Sequence, residues 1–189
     1  MNPLEAAAFV LGFANIILLV RRSIWNFPFG MAMVAVLAFV LFRAKLYSEA
    51  GLQVFFFVVQ GYGWWLWHRA GGEEHAVAVS WLSARARIAW GVATAVLSLS
   101  LGSIMHALTD AAMPFADSAV TGASIAAQFL LSFRRVENWV LWVGIDVVSI
   151  ELFVIRGLYL TAVLYAGFLV ISVMGLIEWS RAARKAAQL

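Results

Sequence analysis

At 189 residues, 64% hydrophobic and 12% charged, the chain has too little polar surface to enclose a water-soluble globule of its size. Its formal net charge of +3 does not mark a nucleic-acid binder, because no recognition motif accompanies the basic residues and they fall in short loops. Zero cysteines exclude disulfides, thiolate catalysis and Cys-based metal sites together.

A helix needs roughly 20 apolar residues to cross the hydrocarbon core. Stretches of about that length predict transmembrane helices at Leu4–Val20, Asn26–Phe42, Ser48–Trp67, Ile88–Ala107, Phe115–Phe133, Glu137–Ile155 and Gly157–Ile177. The first carries no basic n-region and no small-residue cleavage site, so it reads as a span and not as a removable signal peptide. The largest break in apolarity is Arg69 to Arg87, where Gly71, Gly72, Glu73 and Glu74 begin a loop of turn formers and charges.

A shift of about 112 residues lays Tyr47 on Tyr159, Ala50 on Ala162, Gly63 on Gly175 and Trp67 on Trp179. Arg21 and Arg22 fall on Arg134 and Arg135 with one extra residue of offset, as a one-residue loop difference would give. Two like-oriented three-span units require an odd span between them, so the expected layout is three plus one plus three. Residues 1–69 form the first repeat, 70–112 the loop and linker helix, and 113–189 the second repeat, all in one membrane domain. Parallel repeats of this kind are a transporter design with the substrate site between the halves near the bilayer midplane.

With the amino terminus outside, the inner segments hold Arg21, Arg22, Arg69, Arg85, Arg87, Arg134, Arg135, Arg181, Arg184 and Lys185. The outer segments hold only Arg43, Lys45 and Arg156, so the positive-inside rule places the carboxyl terminus in the cytoplasm.

Several spans carry polar stripes. On the third, Gln53, Gln60, Trp64 and Trp67 recur at helical intervals, giving amides and indoles a shared face. The fifth offers Asp117, Thr121, Ser124 and Gln128 at spacings of four, three and four. On the sixth, Asn138, Trp142 and Asp146 are spaced by four. Asp146 lies about 14 Å into its span, near the middle of the core, where a charge costs roughly 2.5 to 3.5 kcal/mol unless it faces the bundle interior or water. Apolar ring faces can sandwich a heterocycle while placed amides satisfy its polar groups. Trp64, Trp67 and Trp142 are therefore expected to line the path, with Trp65, Trp90, Trp139 and Trp179 as interfacial anchors. Gly12, Gly30, Gly63, Gly144 and Gly175 are expected to permit close helix contact. Asn15 reads equally as packing glue or as a binding group. A lone His106 with no second ligand at suitable spacing argues against a metal site. No Ser-His-Asp order, phosphate loop or catalytic carboxylate pair stands out. An intramembrane enzyme using Asp146 with Asp117 is the weaker reading, and a pathless structural subunit weaker still.

At these residues the chain resembles the PnuC family of bacterial vitamin transporters. The first segment of likeness runs from Asn26 through Phe29 and Gly30, Leu46 and Tyr47, and Leu52 to Phe57, to Tyr62-Gly63-Trp64 and Trp67. The second runs from Pro114 and Phe115, Asp117 and Ser118, through Arg134 and Arg135, to Glu137-Asn138-Trp139, Leu141-Trp142 and Gly157 to Tyr159. The resemblance implies an all-α, SWEET-like bundle of seven helices, assembled as homotrimers in the inner membrane, with no cofactor and no nucleic-acid partner. It implies that Trp64 and Trp67, and Asn138 and Trp142, occupy the family's two binding motifs. It also implies uptake of nicotinamide riboside by facilitated diffusion, trapped by a separate kinase. The chain departs from the family at Ala116, where tryptophan is frequent, and at Gln60, where a small polar residue is frequent. Thiamine, riboflavin or a deoxynucleoside remain alternatives, and Asp146 would offset the charge of either cation, nicotinamide riboside or thiamine.

Overall fold

The protein is described by a computed structural model covering residues 3–43, 47–71, 77–109, 113–155, 157 and 159–188. The helices are α1 (Pro3–Val20), α2 (Asn26–Arg43), α3 (Tyr47–Arg69), α4 (Ala84–Leu108), α5 (Pro114–Ser132), α6 (Glu137–Ile155) and α7 (Tyr159–Ala186). They match the expected spans closely. Lys45 and Arg156, expected on the outer side, lie outside the described residues.

Local signals set the helix starts. The Ser83 hydroxyl accepts the Ala86 N–H at 3.3 Å and caps α4, and Pro114 opens α5 where its missing N–H is harmless. Among the described residues, α2, α4, α6 and Ala162–Ala186 of α7 are long and apolar enough to cross a membrane. In α3 and α5 the apolar run is diluted by amides and hydroxyls, several of them buried against other helices. A buried polar face is what a span shows when it is shielded from lipid.

Helix α1 packs on α2, α2 on α3, α3 on α5, α5 on α6, α6 on α7 and α7 on α1, which closes a ring of six helices. Helix α4 stands outside it: among the described residues it packs along α5 and reaches α6 through the Arg87–Glu137 ion pair. Its Ile88, Val92, Val96, Leu99 and Ile104 are exposed, as a lipid-facing helix requires.

The α1–α2 and α5–α6 corners are built alike. Arg22 and Arg134 hold positive φ, 58° and 60°. Their N–H groups donate to Leu19 O at 2.9 Å and Leu131 O at 2.8 Å. The side chains of Asn26 and Asn138 then donate to Ser23 O at 2.7 Å and Arg135 O at 2.6 Å. Each of these pairs is 112 residues apart, so Arg22 matches Arg134 directly. This corrects the one-residue offset expected from the Arg-Arg dipeptides: backbone conformation, not the neighbouring identity, sets the register.

Residues 77–80 run across both corners. Val77 N donates to Arg22 O at 3.3 Å, Ser80 N to Arg134 O at 3.2 Å, and Val136 N to Ser80 O at 3.1 Å. Both corners therefore lie at one end of the bundle, together with most of its basic residues.

Candidate functional site

Behind the corners, four rings from four helices form a continuous plug. Phe27 of α2 meets Trp67 of α3 edge-on at 5.1 Å, Trp67 meets Trp179 of α7 at 5.9 Å, and Trp179 meets Trp139 of α6 edge-on at 5.8 Å. All four are at most 2% exposed. Trp67 Nε1 donates to Leu131 O at 3.3 Å, and Trp179 Nε1 donates to Leu19 O at 3.1 Å. The first bond crosses the α3–α5 seam and the second the α7–α1 seam. The bundle is thus closed at its basic end by two matched indole-to-carbonyl bonds.

Two small residues make the closure possible. A Cβ on Gly63 would meet Phe27 at 2.6 Å and Ser132 Oγ at 2.7 Å, while one on Gly175 would meet the Trp139 ring at 2.6 Å. Gly12 likewise faces the Met33 sulfur at 2.9 Å. Gly144, expected among the contact glycines, has nothing within 4 Å, so it makes no close helix approach.

This placement revises the tryptophan assignments. Trp139 and Trp179 are not surface anchors but fully buried members of the plug. Proximity to a helix end could not distinguish the two roles. Trp65, at 48% exposure with Arg69 stacked over it at 4.3 Å, does have an anchor's surroundings.

Beyond the plug the interior turns polar. Gln60, Gln128 and Asp146 are buried there, while Asn138 is buried at the corner itself. Asp146 Oδ2 accepts from the Ser172 hydroxyl at 2.7 Å, joining α6 to α7. The amide ends of Gln60 and Asn15 both reach the surface of Gly30, where a Cβ would collide with Gln60 Oε1 and Asn15 Nδ2. Trp142 is half-buried and packs against the ring cluster, so it lies between plug and polar interior. Asn138 Oδ1 and Trp139 Nε1 are buried without a hydrogen-bond partner among the described residues. Such groups ordinarily find partners, and an unmet acceptor within an otherwise closed corner is suited to a solute or water donor.

Not every expected residue joins this set. Gln53 is half-buried, and Trp64 is 40% exposed, turned away from its buried neighbour Trp67. Thr121 and Ser124 turn their hydroxyls back to Asp117 O at 3.0 Å and Val120 O at 2.8 Å, which satisfies them within α5. Ser172 was missed from the sequence. Its signal was present, since the repeat shift carries Gln60 onto it.

Residues 2–181 match the family described as nicotinamide mononucleotide transporters. The nicotinamide riboside transporter PnuC of Escherichia coli (strain K12) is 30% identical over 210 residues, covering 98% of this chain and 88% of that protein. The riboflavin/roseoflavin transporter RibM of Streptomyces davaonensis is 26% identical, covering 93% and 84%. A crystal structure of the vitamin B3 transporter PnuC superposes with a TM-score of 0.79 at 26% identity, covering 97% of this chain and 84% of that one.

Proposed function

The chain belongs to the nicotinamide mononucleotide transporter family, a family of membrane transporters, and from that membership we propose that it carries nicotinamide riboside into the cell by facilitated diffusion. A separate kinase would phosphorylate the entering vitamin and so prevent its return. The observation that carries this reading is the buried Asp146, held by Ser172 on a helix whose buried Asn138 keeps a free acceptor. A carboxylate in the bundle interior complements the positive charge of a pyridinium riboside, and the amides Gln60, Gln128 and Asn138 suit its hydroxyl and carboxamide groups. None of the proposed site residues is basic. A riboside therefore fits better than its phosphorylated mononucleotide, whose phosphate would meet Asp146 with like charge.

In this proposal Trp142 and Trp67 flank the vitamin ring on the plug side, while Trp64 and Gln53 join the path when the α3–α5 seam moves. The six-helix ring comprises the repeats 1–69 and 113–189, with α4 as linker; the matched corners and the two equivalent seams support that division. The amino terminus lies outside and the carboxyl terminus in the cytoplasm of a bacterial inner membrane, following the basic residues gathered at one end. The assembly is a homotrimer in which each protomer has its own path.

Uptake of labelled nicotinamide riboside, its mononucleotide, thiamine and riboflavin into proteoliposomes tests the substrate. Saturable riboside entry with no mononucleotide entry is expected. A preference for thiamine would transfer the same site to the other cationic vitamin, and a preference for riboflavin would remove the charge argument. Asn138→Ala and Trp142→Ala should each weaken riboside binding about tenfold, the effect of roughly 1.4 kcal/mol. Unchanged affinity in both would dismiss the site.

A further inference from the structure

Helices α3 and α4 both pack on α5 but, among the described residues, their backbones do not come together, which leaves a cleft along the outer face of α5. At the basic end the cleft deepens into a cavity of about 300 Å³ lined by Leu66, Leu82, Trp90, Ser132, Phe133, Arg134 and Arg135. Its walls are mainly aliphatic and aromatic with Ser132 among them, and its end is cationic.

The cations near this cavity differ in how fully they are engaged. Arg87 binds Glu137 Oε1 at 2.7 Å and lies over the Trp81 ring at 5.2 Å, and Arg69 lies over Trp65. Arg135 donates to the Ser80 hydroxyl. The guanidinium of Arg134, half-buried, has no partner among the described residues. Its counterpart in the other corner, Arg22, instead donates to Val77 O at 3.5 Å. Glu137, three residues on from Arg134, is held through Oε1 by Arg87 and by the Leu82 N–H at 2.9 Å, while its Oε2 is buried without a partner among the described residues. An unneutralised guanidinium over an apolar slot calls for a ligand with an anionic head and a hydrocarbon body.

We propose that this cleft binds an anionic phospholipid, with its phosphate on Arg134 and Arg135 and one acyl chain laid between α3 and α4. The apolar walls favour a lipid over free phosphate. So does the setting: Trp65 and Trp81 are exposed beneath Arg69 and Arg87, as indoles at the headgroup level are, and the far side of α4 presents Ile88 and Val92 to lipid. The site is separate from the Asp146 interior, so the proposal stands whether or not the riboside reading does.

Native mass spectrometry of the full-length protein, delipidated in detergent and titrated with phosphatidylglycerol, phosphatidylcholine or inorganic phosphate, tests it. One phosphatidylglycerol should be retained per chain in preference to phosphatidylcholine. Arg134→Gln should weaken that retention about fivefold, the usual contribution of one basic residue near anionic lipid. Leu66→Trp, which fills the slot but keeps both arginines, should weaken it at least as much. Thermal melting without added lipid checks that both variants fold, and Arg134→Lys, which keeps the charge, covers a failure of Arg134→Gln. Equal retention of both lipids, no loss in either variant, or competition by inorganic phosphate alone would overturn the proposal. So would a change of oligomeric state in Leu66→Trp without a change in lipid retention, because the cleft would then be a contact between copies of the chain.

Discussion

The two halves of the ring share a frame and differ in what they enclose. At the corners, Arg22 and Arg134, Leu19 and Leu131, and Asn26 and Asn138 make the same bonds at the same interval. Deeper inside, the same interval sets Gly30 against Trp142, Val34 against Asp146, Gln60 against Ser172 and Asn15 against Ala127. One half fills its centre with two amides over a bare glycine, and the other with a carboxylate, a hydroxyl and an indole. Backbone geometry tolerates little variation at a strained corner, whereas interior side chains can diverge once the frame closes. Of the residues proposed for the solute, Gln60, Trp142 and Asp146 stand where the repeat breaks its own pattern, whereas Asn138 and Trp67 stand where it holds.

The sharpest way to break the equivalence is at the plug. Trp67→Ala and Trp179→Ala should each cost about 3–5 kcal/mol of stability, for a large buried ring and its hydrogen bond. Chemical denaturation in mixed micelles should give two losses within about 1 kcal/mol of each other. A wider gap would show that the halves share a sequence pattern but not a mechanical role. Next in size, Gly63→Ala and Gly175→Ala should cost about 1–3 kcal/mol each, because the added methyl overpacks rings that cannot withdraw.

The interior should show the opposite behaviour. Ser172→Ala removes the donor to Asp146 and should weaken riboside binding by about fivefold to tenfold, as loss of one hydrogen bond of roughly 1–1.5 kcal/mol would. Ser180→Ala on the same helix, whose hydroxyl is engaged by Leu176 O, should leave binding unchanged in the same titration. The smallest effect is expected at Gly144→Ala, within about 0.5 kcal/mol by thermal melting, since nothing lies near its Cβ position.

The helices were legible because each apolar run is bounded by charges or turn formers, and the span limits follow almost directly. The burial of Gln60, Gln128, Asn138 and Asp146 was legible too, since polar side chains at membrane depth must face inward. What helical periodicity could not supply was which distant helix receives each face. Trp139 and Trp179 looked like headgroup anchors because both lie near helix ends, yet each closes against the other across a helix pair. Trp64 and Trp67 share a motif but not an environment, a difference fixed by the α3–α5 seam and not by their own helix. Ser172 carries no signal of its own and becomes visible only through its repeat partner.

The short segment 77–80 has a mechanical consequence. It bonds to both corners through Val77 and Ser80, so it works as a strap across the basic end. A rotation of one half against the other that keeps those bonds must take this end as its fulcrum. Across helices about 30 Å long, a tilt of about 10° would then swing the far ends apart by about 5 Å while the strapped corners barely move. With that fulcrum the mouth opposite the arginines would open first, and the indole plug would yield only on release of the strap's bonds to the two corners.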